Sequence, residues 1–325
     1  MGLIALDCTM RDGGYYPKWE FDLKLVNKYL KIMEESRIDA IEIGFRNPSK
    51  SDKTFANVTD NFIRDNLNIP KVKYFGVMID TAKTPYKNIN NLFSYVDESP
   101  INFVRAATHF KDIKLGENVC KELKNLGYLV TCNLMQAADK SYEEIRDGAN
   151  KIEKWNAVDV LYIADSLGGM NHDSVNYSYK AIKEGWSGLT GFHGHNNKGQ
   201  AFDNSIEAVD IGFNWVDSTI LGMGRGPGNA ETEYLLGELN KRGFGEYKLK
   251  DIFKLALNEF LPLQKQYEWG PSLLYYLAAE YNIHPTYIQK MLEYCSMNKI
   301  LRAIFYLRGK AATFFNIELL KESLK

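Results

Sequence analysis

The sequence predicts an α/β chain in which short apolar strands and amphipathic helices alternate eight times before a helical tail. Three observations carry this. Strand-like runs and helical periodicities take turns from residue 3 to residue 241. Eight such units in roughly 240 residues is the size of a (β/α)8 barrel. The first strand is followed by Arg11-Asp12-Gly13-Gly14, whereas a doubly wound sheet would usually place a GxGxxG phosphate loop there.

Residues 3–10 read as a buried strand broken by the glycine pair, and apolar residues at helical spacing run from Pro17 to Arg37. Strands are expected at 39–45, 74–79, 102–107, 128–134, 160–164, 189–195 and 215–220. Helices are expected at 53–67, 88–97, 113–126, from the fifth strand to about Trp155, and at 174–185, 199–211 and 230–241. Strands separated by helices must pair in parallel through right-handed crossovers. Beyond Lys248 strand-like runs stop, and Leu- and Tyr-rich helical segments are expected at 249–260, 271–281, 285–295, 299–307 and 310–324. The reading is a TIM (β/α)8 barrel over residues 1–245 and a small helical C-terminal domain over 246–325, packed on the barrel because no long linker separates them.

A chain of 325 residues can hold one large barrel plus an appendage. With 45% hydrophobic and 25% charged residues the composition is that of a folded globular protein. A net charge of −1 gives no global field for nucleic acid or an anionic membrane, and no apolar run approaches a bilayer span. The N-terminus is strand-like and lacks the zones of a secretion signal. Cys8, Cys120, Cys132 and Cys295 have no CxxC spacing, which suits free thiols in a reducing compartment. A cytoplasmic location is expected.

The chemistry gathers around residues 191–197, Gly-Phe-His-Gly-His-Asn-Asn. Side chains at i and i+2 of a strand share a face, so His193 and His195 project together and can share a divalent cation. A bare His-x-His is common, and alone it reads more readily as a pair of ordinary buried or rim histidines than as a metal site. In a barrel of this type, active sites lie at the C-terminal ends of the strands. There this chain collects Arg11-Asp12, Glu42, Thr108-His109, Asn133, Gln136, Asp165-Ser166 and Asn229. A carboxylate across from a His pair, with an Asn nearby, makes a plausible octahedral site with open positions.

Four segments taken together resemble the DRE-TIM metallolyase superfamily: Asp-Cys-Thr-Met-Arg-Asp-Gly-Gly at 7–14, Glu42 in Ile-Glu-Ile-Gly-Phe, His193-Gly-His195-Asn-Asn-Lys-Gly, and Gly222-Met-Gly-Arg-Gly-Pro-Gly-Asn229-Ala-Glu. That family includes hydroxymethylglutaryl-CoA lyase, isopropylmalate and homocitrate synthases, and 4-hydroxy-2-oxovalerate aldolase. The resemblance covers residues 3–242 in the family's motif order, and Tyr267-Glu-Trp269-Gly270 in the tail is similar to the aldolases. It implies a TIM barrel and a carbon–carbon lyase. Asp12, His193 and His195 would be metal ligands, Asn229 a fourth, Arg11 the stabiliser of an enolate, and Glu42 an anchor for Arg11 or for the metal shell; the rival reading of Arg11 is a plain ion-pair partner of Glu42 or Asp165. Mn2+ or Mg2+ is favoured, with Zn2+ also compatible. Adjacent residues diverge in a strand, so the Gly13-Gly14 turn must let Arg11 and Asp12 both reach the site.

One residue departs from the aldolase pattern. Tyr15 stands where those aldolases carry an acid–base histidine. A phenol ordinarily titrates near 10, so Tyr15 is read as a proton donor or hydroxyl-orienting group, with His109 or a metal-bound water as the alternative. His172 and His284 are read as surface or packing residues. Arg46 and Arg225 could clamp a substrate carboxylate or phosphate. Gly222 to Gly228 could cradle a phosphate through backbone N–H groups, or simply give tight passage so that Asn229 faces the metal.

The resulting expectation is a divalent-metal-dependent aldolase that forms or cleaves a 4-hydroxy-2-oxo acid through a pyruvate enolate. The resemblance extends to aldolases associated with carbohydrate biosynthesis, which suggests a sugar-derived aldehyde partner. Rival readings are an acyl-CoA lyase or Claisen-type synthase of the same superfamily, and a non-catalytic scaffold barrel. The lyase version is disfavoured because residues 222–229 lack a cysteine; the scaffold is disfavoured by the complete set Asp12, His193, His195 and Asn229. Expected partners are a small 2-oxo acid and an aldehyde. A homo-oligomer is expected, with the tail available for a dimer interface. The family's aldolases can pair with an aldehyde dehydrogenase, and no sequence feature here marks a docking surface for one.

Overall fold

A computed structural model describes residues 2–48, 50–51, 54–310 and 312–325. Eight parallel strands close into a barrel in chain order. They are β1 Ile4–Asp7, β2 Ala40–Phe45, β3 Tyr74–Asp80, β4 Phe103–His109, β5 Leu129–Met135, β6 Val160–Asp165, β7 Leu189–Gly194 and β8 Trp215–Ser218. Closure comes from β1 pairing β8, with Ile4 opposite Trp215 and Asp7 opposite Ser218. The helices up to the last strand are α1 Thr9–Asp12, α2 Leu23–Glu35, α3 Asp60–Asn66, α4 Ile89–Leu92, α5 Ile113–Asn125, α6 Tyr142–Glu153, α7 His172–Gly185 and α8 Ala201–Ile211, with α9 Thr232–Lys241 after it. Their starts follow local side chains. Asp22, Thr59, Ser141 and Asn171 each accept a backbone N–H of the first turn, which satisfies donors the helix leaves open.

Three readings of the amino-terminal half are corrected. The first strand stops at Asp7, and residues 9–12 form a helical turn, because the Asp7 carboxylate accepts the Thr9 N–H and Cys8 O takes the N–H of Asp12. Arg11 and Asp12 therefore sit on a helix and not at a strand end. The helix expected from Pro17 begins only at Leu23. The one expected at 88–97 is a single α-turn flanked by 3-10 turns. Residue 53, where the 53–67 helix was expected to start, lies outside the described residues; the helix seen there is Asp60–Asn66.

The tail consists of α10 Lys250–Leu255, α11 Leu261–Tyr267, α12 Leu273–Glu280, α13 Pro285–Leu292, α14 Met297–Leu307 and α15 Ile317–Ser323. A π-helical stretch over Ala256–Phe260 joins α10 to α11, so the segment expected to end at 260 runs on to Tyr267. The last helix is shorter than the expected 310–324 because it waits for the Asn316 cap. Ile252, Leu255, Phe260 and Trp269 pack into the same core as the barrel's helical layer, and a second core begins at Tyr275. Trp269 donates to Leu221 O at 2.9 Å and Gln136 to Thr313 O at 2.7 Å, which ties the tail over the mouth of the barrel. No helix among the described residues is long and apolar enough to cross a membrane, and all four cysteines are free thiols.

The barrel interior is layered along the strands. Ile4, Leu6, Ala40, Phe103, Val160, Tyr162 and Trp215 fill the amino-terminal end with apolar side chains. Above them lie Glu42, Arg105 and Asp217, all at most 1% exposed. Above those a cavity of about 460 Å³ opens at the carboxyl ends of the strands.

Candidate metal centre and active site

The site is built from the charged layer upward. Arg105 on β4 lies 2.8 Å from Glu42 Oε2 through Nε and donates to both Asp217 oxygens, at 2.5 and 3.2 Å. The Tyr162 ring lies 4.3 Å from its guanidinium carbon. The other Glu42 oxygen accepts Arg11 Nε at 2.5 Å, and Arg11 NH1 donates to Asp12 Oδ1 at 2.7 Å. The helical turn makes this last contact possible between sequence neighbours. Arg11 NH2 is buried without a hydrogen-bond partner, and Arg11 borders the cavity.

His193 and His195 project together from β7 and the residue after it, with ring centroids 5.1 Å apart. Asp217 lies 2.8 Å from His193 Nδ1, and Gly228 O lies 3.2 Å from His195 Nδ1. A carbonyl oxygen only accepts, so His195 carries its proton on Nδ1 and offers a lone pair at Nε2. A carboxylate on His193 Nδ1 fixes that ring in the same sense, the arrangement that orients metal-bound imidazoles. His193 Nε2 lies 3.7 Å from Asp12 Oδ2, and donor atoms of Asp12, His193 and His195 all lie within 4.8 Å of one another. Two ligands about 2.1 Å from one ion in adjacent octahedral positions are about 3 Å apart. The three groups can grip a common ion with small adjustments.

Asn229 comes from the glycine-rich loop. Its backbone bridges His195, its Nδ2 donates to Asp12 Oδ2 at 2.6 Å, and its buried Oδ1 has no partner. The glycines are used for close approach. A Cβ on Gly224 would sit 2.3 Å from Asn229 Nδ2, and one on Gly228 would sit 2.0 Å from Gly222 O.

Electrostatics agree with a cation. Three carboxylates, Asp12, Glu42 and Asp217, face two guanidiniums, Arg11 and Arg105, which leaves one uncompensated negative charge in a buried site. Burial alone would raise the Asp12 carboxyl, but Arg11, His195, His193 and the Asn229 bond hold it below the usual carboxylate range. Asp217 is likewise raised by burial but brought down to about 2 by Arg105 and His193. Burial drives His195 down to about 3, so it is a neutral imidazole at pH 7. Oxygen and imidazole donors, an unpaired amide oxygen and a net negative charge all fit a divalent metal ion.

The other expected residues divide. Tyr15 borders the cavity at 38% exposure, its ring 4.6 Å from that of Trp19 and 5.9 Å from the Arg225 guanidinium. His109 also borders it, with Nδ1 buried and unpaired and its ring 5.4 Å from that of Phe314 in the tail. Burial lowers its pKa. Asp165 faces neither Arg11 nor the metal group; its oxygens accept the N–H groups of Gly169 and Met170. Arg46 is no clamp: it is 1% exposed and spent on Val58 O, Leu92 O and Asp60. His172 is exposed beside Glu207. His284, read as packing, instead lines the cavity with Arg225. Arg105 and Asp217 escaped attention, although a charged residue inside an otherwise apolar strand is the same signal that Glu42 gives.

The chain is similar to proteins already known. The 4-hydroxy-2-oxovalerate aldolase of Carboxydothermus hydrogenoformans is 29% identical over 255 residues, covering 76% of this chain and 74% of that protein. The one from Thermus thermophilus is 29% identical over 274 residues, covering 80% and 76%. The crystal structure of the N-terminal domain of a candidate aldolase from Bacteroides vulgatus superposes with a TM-score of 0.83 at 31% identity, over 93% of this chain and all of that one. Residues 3–258, most of the chain, match the family described as HMGL-like, and the protein belongs to that family.

Proposed function

We propose that this protein is a divalent-metal-dependent aldolase that cleaves or forms a 4-hydroxy-2-oxo acid through a pyruvate enolate. The observation that carries the reading is the convergence of Asp12, His193 and His195 on one point beside the unpaired NH2 of Arg11. Its relatives named 4-hydroxy-2-oxovalerate aldolase support the reaction class. Asp12, His193 and His195 would hold the ion, with Asn229 Oδ1 as a fourth donor; oxygen donors favour Mn2+ or Mg2+ over softer metals. When bound, it supplies Lewis-acid charge to the carboxylate and keto oxygens of the 2-oxo acid.

The chain's own residues do the rest. Arg11 NH2 donates to the keto oxygen as it gains enolate charge, and Glu42 and Asp12 hold the guanidinium in place before substrate arrives, so no reorganisation is needed. Arg105 and Asp217 fix the His193 ring. In the cleavage direction the proton of the 4-hydroxyl leaves and its electron pair forms the aldehyde C=O, the C3–C4 pair becomes the C2=C3 bond as the keto π pair moves to oxygen, and protonation at C3 then gives pyruvate. His109, neutral and with a free ring nitrogen, takes the hydroxyl proton, and Tyr15 orients the hydroxyl from the rim.

The test is proton exchange at pyruvate. With Mn2+ in D2O the methyl signal of pyruvate is lost at a catalysed rate, and the loss stops on chelation. No exchange with any divalent metal would rule the proposal out.

A further inference from the structure

Resting on that reading, we infer that His284 and Arg225 form a pair of hydrogen-bond donors that binds the oxygen of the aldehyde half, the C4 oxygen of the substrate. His284 immediately precedes α13, and its Nδ1 accepts the backbone N–H of Thr286 at 3.3 Å. A backbone N–H can only donate, so Nδ1 bears the lone pair, and the proton of the neutral ring is on Nε2. That Nε2 lies 3.4 Å from Arg225 NH1. With that tautomer neither atom accepts, because arginine has no acceptor either, so two donors face each other at 3.4 Å. One oxygen atom placed against both would satisfy the two N–H groups. Arg225 NH2 is already taken by Ser166 O at 3.1 Å, while Arg225 Nε is buried without a partner.

Both residues border the cavity that holds Asp12, His193 and His195. Its inner end is occupied by groups suited to the 2-oxo acid; the C4 oxygen is the acceptor left to meet a donor pair nearer the tail. Burial, with Arg225, His195 and His109 nearby, pushes the His284 imidazolium down to about 2. The ring therefore acts as a neutral donor that polarises a carbonyl without becoming charged, a known use of an imidazole at a helix N-terminus. The helical tail thus adds a neutral donor for the C4 oxygen beside the barrel's own His109, which takes the hydroxyl proton, and Tyr15.

Two variants separate reach from capping. Asn at 284 can still cap α13 through its short amide but cannot reach Arg225; Gln can reach it. The readout is the rate of 4-hydroxy-2-oxovalerate cleavage divided by the rate of pyruvate proton exchange, a half-reaction without the aldehyde. His284→Asn is expected to lower this ratio about 100-fold, and His284→Gln to recover most of the loss. An unchanged ratio in His284→Asn overturns the inference, whereas absence of exchange in the unaltered protein strikes at the aldolase reading instead. An activity-independent arm uses 15N-histidine spectra of the metal-free protein at pH 7, with the His284 signals assigned by their loss in His284→Asn. The Nε2–H tautomer supports the inference; an Nδ1–H tautomer or a charged ring overturns it.

Discussion

Arg105→Met tests the buried ionic layer on which the site stands. Arg105 is fully buried and touches two carboxylates, Glu42 at 2.8 Å and Asp217 at 2.5 and 3.2 Å. Methionine keeps most of the volume and none of the charge. Glu42 would retain Arg11, but Asp217 would keep only His193, and three carboxylates would face a single guanidinium. Removing one partner of a buried ion pair costs about 3–5 kcal/mol, because the other is left desolvated and unpaired. Loosening Asp217 also releases the ring of His193, and such outer contacts are worth about 10–100-fold in metal affinity. The assay is urea unfolding of the chelated protein together with Mn2+ titration calorimetry. A ligand held 10–100-fold more weakly stabilises the variant less than wild type, so the stability deficit should be larger with saturating Mn2+ than with chelator, by about 1.4–2.7 kcal/mol. Arg105→Lys, a point charge that cannot fork between two carboxylates, should fall between. If Arg105→Met unfolds at the wild-type urea concentration and binds Mn2+ as tightly, the reasoning is wrong.

Further outcomes follow from individual residues. Arg11→Lys keeps the charge but loses the guanidinium fork, so pyruvate proton exchange should slow by about 100-fold with Mn2+ still bound; calorimetry and exchange on the same sample check this. Gly224→Ala places a Cβ 2.3 Å from Asn229 Nδ2 and 3.2 Å from Asp12 Oδ2, and should weaken Mn2+ binding by about tenfold while leaving the barrel folded by circular dichroism. Burial raises Glu233 from its ordinary 4.5 to about 7, against bonds from Leu221 N–H and its own backbone. Its contribution to stability is full below pH 4.5 and is lost as the pH rises through 7, by about 3 kcal/mol. Glu233→Gln should therefore gain stability relative to wild type as the pH climbs across that window, and a pH-independent difference in urea unfolding would contradict it.

Much of this architecture was legible in the sequence. Continuous apolar runs and period-3.6 helices announce the barrel, and His193, His195 and Asn229 stand near the carboxyl end of a strand or in the loop beyond it, with Asp12 in the turn after β1 and Glu42 a lone charge within β2. Arg11 and Asp12 were harder to place, because Ile4 to Met10 is apolar enough to read as one strand; only the Asp7 carboxylate bonding to Thr9 shows why the chain turns into a helix there. Arg105 and Asp217 lie in strands whose neighbours are apolar, and their meaning appears only when closure of the sheet brings β2, β4 and β8 around one axis. Arg46 shows the opposite failure. It sits after a strand like a substrate clamp, yet it turns outward to hold Val58, Leu92 and Asp60. His284 carries no local signal at all, since its role depends on how a helical tail far along the chain folds back over the barrel mouth.

The most direct test of the account is anomalous diffraction from crystals grown with Mn2+ and oxalate, a planar mimic of the pyruvate enolate. The expected result is one strong peak bonded to the Asp12 carboxylate and to Nε2 of both His193 and His195, with oxalate completing the shell and Arg11 NH2 on one of its oxygens. Manganese bound elsewhere, or held by the histidines with Asp12 turned away, would contradict it.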